Sequence, residues 1–486
     1  MSSAALPDGR TRLLRGLCCL AVASAFLVLP APAALEPAGW RLLGIFAAVI
    51  LAFVLQPVGM GPAVLLGLFT ATLTKSLPLD PEKLTSAEAT KVALSGYGEK
   101  VVWLVVGAFL IAGAVQGSGL GRRIALGLVV RLGRTTLGLG YALSMAELVL
   151  GPVVPSNTAR GGGILAPIGQ SLADALGSRP DHEPRRAGAY LALVGAHANL
   201  IAAAMFLTGM AANPLVAQAA EDVYDVEFGW GRWALGALVP GLVAMALLPL
   251  FLHKLVPPDL RDASAAREHA RGELSAMGAW SMAQKVTLGV FVLLLLLWAS
   301  KPLTGLDTTL VAWLGVVALF LTGARSWDEM VRDPRAWDVL VWLGGLLTMA
   351  NGLKDLGVVD WFVEGAQGWV DGYGALPTVL FLALAYFFSM YGFSMLTAHI
   401  SAMVGAFLAV CLAADVPPLL AVPLFAYFSD LCACTTNYST GPMIIWYGLG
   451  YVPARTWLRV GFLVALFQLA IWIPLGLLWW KVLGWW

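Results

Sequence analysis

Long apolar runs, broken by short clusters of charge, proline and glycine, recur along the whole chain, from "LLRGLCCLAVASAFLVL" to "VGFLVALFQLAIWIPLGLLWW". A spanning helix needs about 20 mainly apolar residues. Read between the breaks, the pattern predicts about eleven such segments, at 13–30, 38–56, 60–74, 100–120, 187–220, 230–253, 284–300, 307–323, 337–353, 417–447 and 456–485. Two stretches do not fit. Residues 140–176 and 375–411 each hold two apolar arms of about a dozen residues around a polar tip, too short to cross, and predict re-entrant hairpins. The expected fold is an all-α polytopic membrane protein.

Composition agrees with the pattern. The 486 residues are 59% hydrophobic and 12% charged, with a mean hydropathy of +0.80, outside the range of soluble globular chains. A net charge of +1 gives no sign of a nucleic-acid partner. Cys18, Cys19, Cys411, Cys432 and Cys434 lack metal-ligand spacing and read as packing residues. Arg10, Arg12 and Arg15 followed by an apolar run and "APAALEP" resemble a secretory signal; a retained first helix is the favoured reading. With the N-terminus inside, inner loops hold Arg122, Arg123, Arg131 and Arg134, then Arg179, Arg185 and Arg186, then Arg261, Arg267 and Arg271, then Arg325, Arg332 and Arg335. Lys75, Lys83, Lys91 and Lys100 in the largest outer loop are a mild exception. Eleven crossings then place the C-terminus outside.

The chain also repeats itself. "GAFLIAGAVQGSGLG" at 107–121 aligns with "GGLLTMANGLKDLGV" at 344–358, and nearly the same offset lays Thr158, Ala159 and Arg160 on Thr397, Ala398 and His399. Thr208 and Gly209 pair with Thr440 and Gly441. An odd number of crossings separates the halves, so equivalent elements enter the membrane from opposite sides, the inverted-topology repeat of secondary transporters. The expected organisation is N-terminal helices over 1–56, a first repeat over 57–256, a cytoplasmic linker over 257–283 and a second repeat over 284–486. The first repeat carries the inner hairpin at about 140–176 and a broken helix at about 187–220. The second carries the outer hairpin at about 375–411 and a broken helix at about 417–447.

Non-helical backbone is tolerated at membrane depth where it lines a cavity or is buried in protein. In "VVPSNTARGGGILAPIG", Pro155 stops the first arm, Ser156, Asn157 and Thr158 supply short polar groups, and three glycines allow close backbone approach. The second arm then begins, offering free N–H groups to an anion. A small carboxylate suits such a tip. Arg160 reads either as a substrate contact or as a buried ion pair with Glu147, and His399 occupies its repeat position. "MFLTGMAANPLV" interrupts one helix from Thr208 through Asn213 to Pro214, and "TTNYSTGPMIIW" interrupts another from Thr436 through Thr440 and Gly441 to Pro442. Paired broken helices point to a transport site. Asp430 reads as a proton or ion site or as a structural polar partner. A buried Ser156, His399 and Asp430 set would be the ingredients of an intramembrane hydrolase, a reading that leaves the repeat and the paired breaks without a role, so no enzyme is expected.

At "PSNTARGGGILAPI" the sequence resembles the hairpin signature of the divalent anion/sodium symporter family. The likeness continues through "MAANPL", "LTAHISAM" and "STGPMIIWYGLGYVP", and these segments most resemble the subgroup of the plastid 2-oxoglutarate/malate translocator and the bacterial dicarboxylate exchangers. The resemblance implies a homodimer of eleven-helix protomers whose transport domain moves against a scaffold as an elevator, carrying C4/C5 dicarboxylates. The substrate contacts expected from the tips and the paired breaks are Ser156, Asn157, Thr158, Arg160, Thr208, Asn213, Thr397, His399, Thr440, Gly441 and Pro442. One departure matters. The sodium-coupled branch has a second Ser-Asn-Thr, where this chain has Met395, Leu396 and Thr397. Dicarboxylate exchange with fixed charge from Arg160 and His399 is therefore expected, with sodium-coupled symport as the alternative. No cofactor or metal is expected apart from Na⁺ under that alternative, and a bacterial inner membrane is the expected location.

Overall fold

The computed structural model describes residues 9–79, 85–370 and 372–486; Lys83 lies outside the described residues. Every named element is helical, and β structure among the described residues amounts to two isolated bridges, Thr135 with Asp262 and Arg179 with His182. Among the described residues eleven helices are long and apolar enough to cross a bilayer. The total agrees with the sequence pattern, but the membership differs. Two of the eleven, Ala375–Gly392 and Leu396–Ala413, are the arms that the pattern takes as too short to cross. Two expected crossings, Met60–Leu73 and Thr308–Leu321, are helices of 14 residues, about 21 Å long. The second starts where Asp307 accepts from the N–H groups of Thr309 and Leu310, and it ends before Gly323, whose φ of 67° is left-handed.

The chain opens with α1 (Gly9–Val28), α2 (Pro37–Leu55), α3 (Met60–Leu73) and a short α4 (Ser86–Ala93). A first series follows: α5 (Lys100–Gly117), α6 (Leu120–Leu132), α7 (Thr136–Leu150), α8 (Ala166–Ala175), α9 (Gly188–Met205), α10 (Asn213–Tyr224) and α11 (Trp230–Leu255). Between the series lie α12 (Ser264–Ala276), α13 (Met282–Ala299), α14 (Lys301–Thr304), α15 (Thr308–Leu321) and α16 (Trp327–Val331). The second series keeps the order of the first: α17 (Pro334–Asp355), α18 (Val358–Val370), α19 (Ala375–Ser389), α20 (Leu396–Ala413), α21 (Pro418–Leu431), α22 (Gly441–Gly448) and α23 (Ala454–Val482).

Equivalent helices of the two series run antiparallel. Glu99, just before α5, accepts from Asn351 near the end of α17 at 3.4 Å, while Gln116 at the other end of α5 accepts from Arg335 at the start of α17 at 2.7 Å. Likewise Trp479 and Trp480, late in α23, donate to the carbonyls of Leu235 and Gly236, early in α11, at 2.7 and 2.9 Å. Such opposition of equivalent elements is the geometry of an inverted repeat. The Trp480 contact has a second role. Pro240 lies inside α11 and has no N–H to give Gly236, so the indole supplies the donor that the proline withholds.

Each series holds a pair of helices joined by a short polar turn and one interrupted helix. Arms α7 and α8 return to one segment: Thr136 donates to the carbonyls of Leu260 and Arg261, and Ser171 in α8 bonds His269 in α12. Every residue of α9 is buried, so this helix forms the centre around which the rest packs. It stops at Met205, and α10 starts at Asn213 with Pro214 in its first turn, where a missing N–H costs nothing. In the second series α21 ends at Leu431 and α22 starts at Gly441, again with proline, Pro442, in the first turn.

Candidate functional site

The first tip is organised by its own short side chains. Ser156 Oγ accepts from the N–H of Ala159 at 3.1 Å and Asn157 Oδ1 from the N–H of Thr158 at 2.9 Å, so the turn closes without a helical partner. The chain then widens into a π-type turn over Thr158–Leu165 before α8, a geometry found often at functional sites. At the second tip, Leu396 N–H donates to Ser439 O at 2.8 Å. The halves also meet directly: Asn157 Nδ2 donates to Thr440 Oγ1 at 3.3 Å, and a Cβ on Gly441 would collide with the Thr158 side chain. Glycine is required there for close approach.

A cavity of about 1360 Å³ opens where these parts converge. Ser156, Asn157 and Thr158 line it from the first tip, Met395, Leu396 and Thr397 from the second, Met210 and Ala211 from the first interruption, and Thr440 and Gly441 from the second. Four helical segments therefore begin at its wall: the turn at Thr158 that continues into α8, then α10, α20 and α22. The cavity extends toward the side of the arginine-rich loops, past Gln116, Arg122, Glu273, Arg335 and Asp338, where Arg122 and Glu273 pair at 3.1 Å. The start of α1 shares that side, since Arg12 and Arg15 donate to the carbonyls of Pro57 and Leu55, close to Met60 on the cavity wall.

The structure thus brings Ser156, Asn157, Thr158, Thr397, Thr440 and Gly441 to one cavity, and sets Arg160, Thr208, Asn213, His399 and Pro442 behind its lining. Of the two readings of Arg160, the geometry is that of the ion pair: its Nε lies 2.6 Å from Glu147 Oε2 and both side chains are fully buried. Its remaining nitrogens donate to the carbonyls of Val154 at 2.7 Å, Gly209 at 3.0 Å and Asn199 at 3.4 Å, and Asn199 Nδ2 adds 2.9 Å to the same Glu147 oxygen. The guanidinium ties the tip to the arm before it, to α9 and to the first interruption. Thr208 donates to Pro152 O at 2.5 Å, and Asn213 spans the break by donating to Ala203 O and Phe206 O at 3.0 and 3.1 Å. His399 Nε2 reaches Ser389 Oγ at 2.8 Å and Tyr386 O at 3.1 Å, between the rings of Tyr386 and Phe393. Pro442 is buried in the first turn of α22.

Sequence reasoning missed Asn199 and the outer wall of the cavity. An asparagine inside the apolar run of α9 was a usable signal, because a buried amide must find partners. Arg122 and Arg335 were read only as loop charges that set orientation. Gln116, Glu273 and Asp338 carried no signal, for they sit at helix ends where polar residues are ordinary. Among the described residues no group of three or more His, Cys, Asp or Glu side chains could hold a metal ion.

Residues 10–486 match the family described as the sodium:sulfate symporter transmembrane region. The chain belongs to this family. Within it the chain is similar to YflS of Bacillus subtilis, named as a malate transporter, at 40% identity over 98% of this chain and 97% of that one. It is 37% identical to dicarboxylate transporter 1 of Spinacia oleracea chloroplasts over 94% of this chain and 79% of that one. It is 35% identical to the L-tartrate/succinate antiporter of Escherichia coli K12 over 97% and 99%. In fold it resembles the YdaH transporter of Alcanivorax borkumensis, with a TM-score of 0.56 at 14% identity over 88% of this chain and 98% of that one. The family and these relatives are transporters, not enzymes, and the hydrolase reading falls with them: His399 bonds Ser389 and Tyr386, leaving Ser156 without it. Family members are integral membrane proteins, as the eleven long apolar helices require.

Proposed function

We propose that this chain exchanges C4/C5 dicarboxylates such as succinate, malate, fumarate and 2-oxoglutarate across a bacterial inner membrane. One observation carries the reading: four helical segments begin at one cavity whose tip residues offer hydroxyl and amide groups and no acid. Each helix start presents about half an elementary positive charge, so four together present about two, the charge of a dicarboxylate. The names of YflS and of the chloroplast and E. coli relatives point to the same class of solute.

The positive end of the site therefore comes from backbone, and Arg160 acts on substrate only through the tip that it holds. Exchange follows from the dipoles. An empty carrier must move these four positive ends uncompensated past apolar walls, whereas a loaded one moves near neutrality. In this reading α7 to α11 and α19 to α23 form the mobile elevator domain, α2, α3, α5, α13, α15 and α17 belong to the scaffold, and two protomers form the working dimer. The tips act as re-entrant hairpins, and the cavity is open to the cytoplasm, with the N-terminus on that side and the C-terminus outside. Sodium-coupled symport is the less favoured reading, because Met395 and Leu396 stand where the sodium-coupled branch has serine and asparagine.

Proteoliposomes test this. Labelled succinate should enter only vesicles preloaded with an unlabelled dicarboxylate. Uptake into empty vesicles driven by an inward sodium gradient would overturn exchange in favour of symport.

A further inference from the structure

Asp430 lies on α21 just before the second interruption and is fully buried. Among the described residues neither of its carboxylate oxygens receives a hydrogen bond. Glu147, the other fully buried acid nearby, has one oxygen satisfied: its Oε2 takes Arg160 Nε at 2.6 Å and Asn199 Nδ2 at 2.9 Å, while its Oε1 is without a donor. Burying a bare carboxylate is far costlier than burying the neutral acid. Asn213 at the start of α10 is the polar side chain beside Asp430, on a helix that packs along α21. Both amide hydrogens of Asn213 are already given, to Ala203 O and Phe206 O, which fixes the orientation of the amide. Its Oδ1 is left buried and without a donor. The Asp430 carboxylate and Asn213 Oδ1 are thus two neighbouring buried acceptors without a donor, and one hydrogen between them satisfies both.

We propose that Asp430 is a resident proton site, whose carboxyl O–H donates to Asn213 Oδ1 and joins the two interrupted helices behind the cavity. The proton is held in place and is not cargo. Arg160 is the charged group that faces Asp430, and its own hydrogens go to Glu147, Val154, Gly209 and Asn199. The other titratable neighbours are Cys432, on the same chain turn, and Tyr386 on α19, whose hydroxyl is shared with Ser429 Oγ at 2.7 Å. With the proton bound, this core holds one guanidinium and one carboxylate. Without it, a second carboxylate competes with Glu147 for Arg160 and sets a negative charge behind the tips that receive the anion. Dianion binding should therefore be intact near neutral pH and weaken as alkaline pH strips the proton.

Infrared spectra of the full chain in nanodiscs should show a protonated carboxylic acid band that is lost in Asp430→Asn. Asparagine keeps an N–H for Asn213 Oδ1 and cannot ionise. Asp430→Asn should fold, bind succinate within about twofold of wild type and lose the alkaline fall in affinity, whereas Asp430→Leu, which leaves Asn213 without a donor, should bind about tenfold more weakly. The succinate arm rests on the dicarboxylate reading above; the infrared arm needs no substrate, so the two can fail separately. Absence of the acid band overturns the proposal. So does an Asp430→Asn protein that fails to fold or binds as poorly as Asp430→Leu, because the ionised form is then the one required. An alkaline limb that persists in Asp430→Asn assigns the titration to Tyr386, Cys432 or the Arg160–Glu147 pair and overturns it equally.

Discussion

Asn157 and Thr397 face the same cavity from opposite tips, and neither fills the apolar core. Asn157 gives one hydrogen to Thr440 and accepts from the Thr158 N–H through Oδ1, which leaves its second amide hydrogen uncommitted. Asn157→Ala and Thr397→Ala should each weaken dicarboxylate binding by about five- to tenfold, the loss of roughly one hydrogen bond of 1 kcal/mol or slightly more. Unfolding temperature in detergent should stay within a few degrees of wild type. Binding isotherms and melting curves on one preparation check this, and unchanged affinity with a lowered melting point would make these residues structural. At this scale the sequence was legible in part. Composition located the polar tip, but a side chain's direction is set by partners distant in sequence. Arg160 turns inward because Glu147 waits 13 positions earlier and three carbonyls lie beside it. His399, its counterpart in the repeat, goes to Ser389 and Tyr386.

Helices were more legible than hairpins. Pro214 and Pro442 marked where α10 and α22 begin, because proline is at home in a first turn and disruptive later. The hairpin arms were misjudged in length: α20 runs for 18 residues, since nothing from Leu396 to Ala413 stops it once the tip has turned. Pairing between helices of different halves left no local trace at all. The Trp480 indole bond to Gly236 is of this kind. Trp480→Phe keeps the apolar ring and removes the donor, so it should destabilise the fold by about 1–3 kcal/mol through the unsatisfied carbonyl. A lowered melting temperature with unaltered substrate affinity is the expected result, and equal melting temperatures would show that α11 tolerates the gap.

The whole molecule has a cavity that reaches one side, past Arg122 and Arg335, and two series whose equivalent helices run antiparallel. In a background with the exposed Cys18 and its neighbour Cys19 replaced by serine, Thr397→Cys should react with a membrane-impermeant maleimide added to inside-out vesicles and be protected by saturating dicarboxylate. Labelling from the opposite side alone would place the open mouth outside. Sequence showed the repeat through shared order, and showed nothing of the shape in which the repeats rest, because that depends on how two rigid sets of helices dock.

The repair of α11 by Trp480 also bears on how the chain is made. Donor and acceptor are 244 positions apart, and synthesis proceeds from the N-terminus. When α11 enters the membrane, the carbonyl that Pro240 has orphaned must wait, unsatisfied or hydrated, until almost the entire second half has been translated. The first half is thus an unfinished object during its own biogenesis, and its last helix becomes comfortable in lipid only when α23 closes over it.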